Sequence, residues 1–187
     1  MSMPGFTREA ILGLLVELES RLEKRGVAMD IQIVGGAALI FHGLLERSTE
    51  DIDARYSNKI IDEVATEMAA EDVLPARWLN SHATAFIPDG AEWAANIPGT
   101  PAAVSLADLP TLAAMKLAAE LSKDIEDLGR VASALDIDTP EELVDLAYEK
   151  YGEESISWSA GRENYLIVAG EALAAARAFR VRGDYRP

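Results

Sequence analysis

Ile33–Arg55 reads IVGGAALIFHGLLERSTEDIDAR, and the fold class turns on this stretch. It parses as a short apolar strand, a Gly-Gly turn at Gly35-Gly36, a short helix from Ala37 to Leu45, and a second strand, Ile52–Tyr56, with Asp51 and Asp53 at its start. Side chains alternate along a strand with period two, so Asp51 and Asp53 are expected on one face. Two adjacent carboxylates repel unless water, a cation or a basic partner offsets the repulsion. Glycines let a backbone approach a phosphate without a Cβ in the way. Glycines for phosphate beside a carboxylate pair for a divalent metal point to a nucleotide site, and the surrounding chain is organised about it.

Upstream, Thr7 is an N-cap candidate for a helix to about Arg25. Ile11, Leu14, Leu15, Leu18 and Leu22 make its apolar stripe, and Gly26 is its stop. Ile31–Val34 is β-branched and short, hence a strand. Downstream, Ser57 or Asn58 caps a helix that buries Ile60, Ile61, Val64 and Met68 and ends near Glu71. Trp78 and Leu79 are expected in the core. Ala83–Ile87 reads as a strand, Pro88–Pro101 as loop because of its three prolines and two glycines, and Ala102–Ser105 as a last short strand.

After about residue 106 the chain turns helical. Asp108 and Pro110 start a helix bearing Leu112, Met115, Lys116, Ala119 and Leu121. Ser122 is a candidate cap for the next helix, which carries Asp124, Asp127 and Leu128. Thr139-Pro140-Glu141-Glu142 is a capping box with proline at the first helical position. A final helix spans roughly 160–180, and the basic tail RVRGDYRP is expected to be loose. The expected fold is α/β: a small mixed sheet flanked by helices over 1–105, then a helical part over 106–187 that closes on it.

Composition narrows the functional classes. The formal net charge is −15, from 32 acidic and 17 basic residues. Such a chain repels nucleic acid at long range, which disfavours a dedicated nucleic-acid binder. There is no cysteine, so thiolate and disulfide chemistry are excluded, and a structural zinc site on His42 and His82 alone is improbable. No apolar run reaches the roughly 18 residues of a membrane span, and no secretion signal is read, so a cytoplasmic location is expected. Hydrolase, P-loop and redox motifs are lacking.

The run GGAALIFHGLLERSTEDIDAR resembles the signature of the nucleotidyltransferase superfamily with the DNA polymerase beta-like fold. There a Gly-Gly or Gly-Ser turn opens a helix and D-x-D follows on the next strand. R-x-T-x-D-I-D is similar, more narrowly, to the minimal nucleotidyltransferases related to abortive-infection type IV toxins. LPTLAAMKLAAELSKDIEDL, residues 109–128, is similar to that family's second block, a lysine-bearing helix followed by a D-x-x-D helix. The resemblance implies that Gly35 and Gly36 hold the triphosphate, that Asp51 and Asp53 bind Mg²⁺ or Mn²⁺, and that Arg47 and Thr49 lie near the phosphates. It implies that Lys116 faces the nucleotide and that Asp124 and Asp127 complete the site or fix Lys116.

The activity so implied is transfer of NMP from an NTP to an acceptor hydroxyl on tRNA or protein, in a bacterial toxin-like enzyme. A cognate antitoxin or another protein partner, or a homo-oligomer, is compatible with it; a membrane partner is not. On the residues alone, the favoured reading of Lys116 is a snorkelling side chain and that of the aspartates first-turn acids of a helix. The chain departs from the family pattern at a third carboxylate, which active members carry on a later strand. Ala83–Ile87 has none. Asp89, just past it, and Asp124 or Asp127 are the candidates, and a non-catalytic binding module is the rival reading.

Overall fold

The computed structural model describes residues 5–95, 97–120 and 124–182. The chain divides into two compact units. One holds the described residues up to Ala85 together with Trp93–Ala107; the other holds Phe86–Glu92 and the described residues from Asp108 onward.

The first unit is a five-stranded mixed sheet with helices. In chain order it contains α1 (Arg8–Lys24), β1 (Ile31–Ile33), α2 (Gly35–Phe41), β2 (Ile52–Arg55), α3 (Lys59–Glu71), β3 (Leu79–Asn80), β4 (Trp93–Ala94) and β5 (Val104–Ala107). The strand order is β3-β2-β1-β5-β4. β1 runs antiparallel to β2 and parallel to β5, β3 is parallel to β2, and β4 is antiparallel to β5. The α/β class expected from the sequence is the class observed.

Alternation along the strands sorts the residues. Ile31, Ile33, Ile52, Ala54, Val104 and Leu106 are buried, with Ile11, Leu15, Leu18 and Leu22 of α1 and Ile61, Val64 and Met68 of α3. Trp78 is fully buried, and its indole N–H donates to the Ala65 carbonyl at 2.9 Å. The caps follow local chemistry: Thr7 accepts from the Ala10 N–H and Asn58 from the Ile60 N–H, and Gly26 turns the chain with φ +69°. Arg21 bridges Glu17 on its own helix and Glu71 on α3, each at 2.7 Å, and Arg25 pairs with Glu67.

Four boundaries differ from the sequence reading. Gly35 and Gly36 are the first helical residues of α2, which ends at Phe41 rather than Leu45. Residues 82–86 form a 3₁₀ turn rather than a strand; the ladder beside β2 is taken by Leu79–Asn80. Trp93–Ala94, within the expected loop, pairs with β5. The last strand lies two residues later than expected, at Val104–Ala107.

The second unit contains α4 (Leu109–Ala119), α5 (Ile125–Ala134), α6 (Pro140–Tyr151) and α7 (Arg162–Arg182). Asp108 caps α4 by accepting from the Thr111 N–H at 2.9 Å. Thr139 and Glu142 form the reciprocal capping box at α6. Leu121 and Ser122, expected in this region, and the tail beyond 182 lie outside the described residues. Lys150 of α6 holds the 86–92 segment through Glu92 at 2.7 Å. Trp158 stacks on Tyr148 (centroids 4.3 Å apart, 11° between planes) and meets Tyr151 and Tyr165 edge-on, which fastens the segment after α6. No helix among the described residues is long and apolar enough to cross a membrane.

Gly129 of α5 lies against the backbone of α7. A Cβ at this position would come 2.4 Å from the Ala172 carbonyl oxygen, so α5 and α7 must separate to admit one. Gly129→Ala is therefore expected to destabilise the helical unit by about 1–3 kcal/mol despite the better helix propensity of alanine. Urea unfolding followed by circular dichroism measures this; a stability equal to or above wild type would contradict the close approach.

Glu120 ends α4 in the left-handed region, φ 51°. Its carboxylate accepts from Ser159 Oγ at 2.6 Å and Asn164 Nδ2 at 2.9 Å. Hydrogen bonding, first from Ser159 and further from Tyr165 and Asn164, holds this carboxyl below the usual carboxylate range against the opposing effect of burial. A folded value below the unfolded one stabilises the fold above the ordinary carboxylate pKa of about 4.3, and the contribution disappears as pH falls through the folded value. Glu120→Gln is expected to flatten the loss of stability on acidification below about pH 4. Urea midpoints across the acid range test this, and a fall as steep as that of wild type would contradict it.

Candidate functional site

The first cluster forms where β1 runs into α2 beside β2. The Val34 N–H donates to the Asp53 carbonyl at 2.9 Å, which holds the end of β1 on β2. Gly35 follows with φ +66°, a conformation that L side chains rarely adopt. A Cβ there would come 3.2 Å from Asp53 Oδ2, and one at Gly36 would come 3.1 Å from Thr49 Oγ1. The two glycines thus leave room for the carboxylate and the hydroxyl. Thr49 is held by two backbone hydrogen bonds with Phe6, at 2.6 and 3.0 Å.

Asp51 and Asp53 are half-buried, while Ile52 and Ala54 between and after them are buried. That alternation matches a shared face for the two acids. Arg47 is on the exposed segment between α2 and β2.

Two features of this face were not read in the sequence. Asn80 of β3 is only 6% exposed and stands in register with Asp53. Its Nδ2 donates to Asp51 Oδ2 at 3.2 Å, and its Oδ1 accepts from the His82 N–H at 3.1 Å. A strand of two residues shows no alternation, so nothing in the W-L-N run marked Asn80 beforehand. Farther along β2, Arg55 donates from Nε to Gln32 Oε1 at 2.7 Å and lies over the Trp93 ring, 4.7 Å from its centroid. Among the described residues no carboxylate is within ion-pair distance of Arg55. The signal available for it was the period-two continuation of Asp51 and Asp53.

The second cluster belongs to the helical unit. Lys116 Nζ donates to Asp124 Oδ1 at 2.7 Å and to Asp127 Oδ2 at 3.2 Å. Lys116 is 9% exposed and Asp127 is 3% exposed. On α4 the lysine is flanked by buried Leu112, Ala113 and Leu117, so its ammonium group has to find anionic partners. Asp124 precedes the first turn of α5 without a side-chain capping bond, and Asp127 lies in that turn. The structure thus brings Gly35, Gly36, Thr49 and Asp53 together in one unit, and Lys116, Asp124 and Asp127 together in the other. Asp89 lies in the 86–92 segment of the helical unit.

The donor set at the first cluster is of hard oxygens. Among the described residues, no group of three His, Cys, Asp or Glu side chains is gathered for a metal ion. Mg²⁺ commonly takes one or two carboxylates and fills its shell with water and substrate phosphates. Asp51 and Asp53 fit that habit; Asn80 Oδ1 is already committed to the His82 amide.

A mixed sheet carrying D-x-D beside a glycine pair is the arrangement of a nucleotidyltransferase. A family model described as a nucleotidyltransferase of unknown function (DUF6036) matches residues 9–166, most of the chain, and the chain belongs to that family. No curated protein and no solved structure matches it significantly.

Proposed function

We propose that the protein transfers a nucleoside monophosphate from an NTP to an acceptor hydroxyl, with Mg²⁺ or Mn²⁺ held by Asp51 and Asp53. The observation that carries this reading is the Asp53 carboxylate against the side-chain-free Gly35, with Asp51 two residues earlier, immediately before β2. The acceptor oxygen bonds to the α-phosphorus, the α–β phosphoanhydride bond breaks, pyrophosphate leaves and the hydroxyl proton passes to solvent. When bound, the cation supplies charge neutralisation at the phosphates. Gly35 and Gly36 admit the triphosphate, and Thr49 and Arg47 supply a hydroxyl and a guanidinium for its oxygens. Lys116, held by Asp124 and Asp127, is the lysine that the family resemblance assigns to the nucleotide.

The similarity of R-x-T-x-D-I-D to abortive-infection toxins supports a toxin-like role with a cognate antitoxin as partner. The charge of −15 favours a protein acceptor over tRNA. A second reading, a nucleotide-binding module without turnover, is favoured by Asn80 standing beside the acid pair where a further carboxylate would strengthen it.

The test is incubation with α-labelled NTPs, Mg²⁺, bulk tRNA and cell extract, alongside Asp51→Asn and Asp53→Asn. Label moved onto RNA or protein by wild type alone supports the enzyme. Equal labelling by both variants would end the assignment of Asp51 and Asp53. Nucleotide binding without transfer in wild type would select the binding module.

A further inference from the structure

We propose that Asn80 is a positioning residue that holds the Asp51 carboxylate in place from the neighbouring strand. Its value for function rests on the reading of Asp51 and Asp53 as the metal pair, but the contact itself does not.

The orientation of the Asn80 amide is determined by both of its partners. The ionised Asp51 carboxylate only accepts, and the His82 backbone N–H only donates. The observed arrangement, Nδ2 to Asp51 and Oδ1 to His82 N, satisfies both. The flipped amide would set oxygen against oxygen and N–H against N–H. Burial strengthens the choice, because a mispaired amide at 6% exposure has little water to turn to. The β2–β3 ladder, with Asp53 opposite Asn80 and Ile52 opposite Leu79, sets this side chain beside the acid pair.

An asparagine here does two things that an aspartate would not. It donates to Asp51 rather than repelling it, so the carboxylates of Asp51 and Asp53 are not joined by a third negative charge. It also restrains Asp51 through a contact that stays available with or without a cation. Partners that orient metal-binding carboxylates typically matter about 10–100-fold for metal affinity.

A double-mutant cycle over Asn80→Ala, Asp51→Ala and the pair, read by urea unfolding in EDTA, tests the contact. The Asn80–His82 bond is lost in both Asn80 variants and cancels. A coupling of about tenfold in the unfolding equilibrium constant is expected for a hydrogen bond to a charged acceptor; a coupling within about twofold of unity overturns the proposal. Should Asn80→Ala not fold, Asn80→Ser serves in the same cycle.

Mn²⁺ titration without nucleotide, followed by electron paramagnetic resonance, tests the consequence. Asn80→Ala is expected to weaken Mn²⁺ by about 10–100-fold, and unchanged affinity overturns the role in positioning. If wild type and Asp53→Asn bind Mn²⁺ equally poorly while the cycle shows coupling, the metal reading fails and the Asn80–Asp51 contact stands.

Discussion

Asp53→Asn is expected to lower the proposed nucleotidyl transfer by on the order of 10³-fold, and Asp51→Asn by a comparable factor. The estimate rests on charge. Each substitution keeps the shape of the side chain and removes one of two carboxylates, which in the proposed reaction would cost several kcal/mol of charge stabilisation at the transferring phosphate. Asp53 is the more informative of the two, because its Oδ2 lies 3.2 Å from the position that a Gly35 Cβ would occupy. The variant must remain folded for the comparison to count. Circular dichroism and the urea midpoint establish that, and label transfer under saturating Mg²⁺ gives the rate. Transfer within tenfold of wild type by a folded Asp53→Asn protein would remove this carboxylate from the reaction.

Lys116→Met is the substitution with the largest expected effect on stability, a loss of about 3–5 kcal/mol. Against a total of about 5–15 kcal/mol for an ordinary domain, that is enough to unfold much of the helical unit. The cause is what remains. Methionine replaces the lysine stem on a helix whose Leu112, Ala113 and Leu117 are buried, but Asp124 and the 3%-exposed Asp127 lose their shared cation. The cost is that of removing the cation that both carboxylates contact while Asp127 stays buried, not of lost packing. Neutralising the acids as well, in Lys116→Met with Asp124→Asn and Asp127→Asn, should recover most of the loss. Urea unfolding of the single and triple variants measures both. A single variant within about 1 kcal/mol of wild type would place the aspartates in well-solvated surroundings, where ion pairs contribute that little.

Much of this molecule was legible from local sequence, and the readable parts share a physical basis. The caps at Thr7, Asp108 and Thr139 are satisfied by N–H groups three residues away, so the residues that make them are adjacent in the sequence. The burial of Ile11, Leu15, Leu18 and Leu22 follows from helical spacing alone. The alternation of buried Ile52 and Ala54 with half-buried Asp53 and Arg55 on β2 follows from a pleat of period two. The pairing of Lys116 with Asp124 and Asp127 was partly legible, because a lysine on an apolar helix face needs an anion and two acids three apart on the following helix offer one.

What the local sequence did not hold was the identity of the short strands. Leu79–Asn80 and Trp93–Ala94 are two residues each, too short for any periodicity, and they are strands only because β2 and β5 accept their hydrogen bonds. Ala83–Ile87 has more strand-like composition, but Ala83–Phe86 coil into a 3₁₀ turn while Leu79–Asn80 takes the ladder beside β2. The sequence by itself determined the class, the helices and the acids Asp51 and Asp53 at the start of β2, all set by contacts within a few residues. Only the tertiary structure decided which side chain stands beside those acids, because Asn80 reaches Asp51 across 29 positions of chain through a ladder that no local pattern encodes.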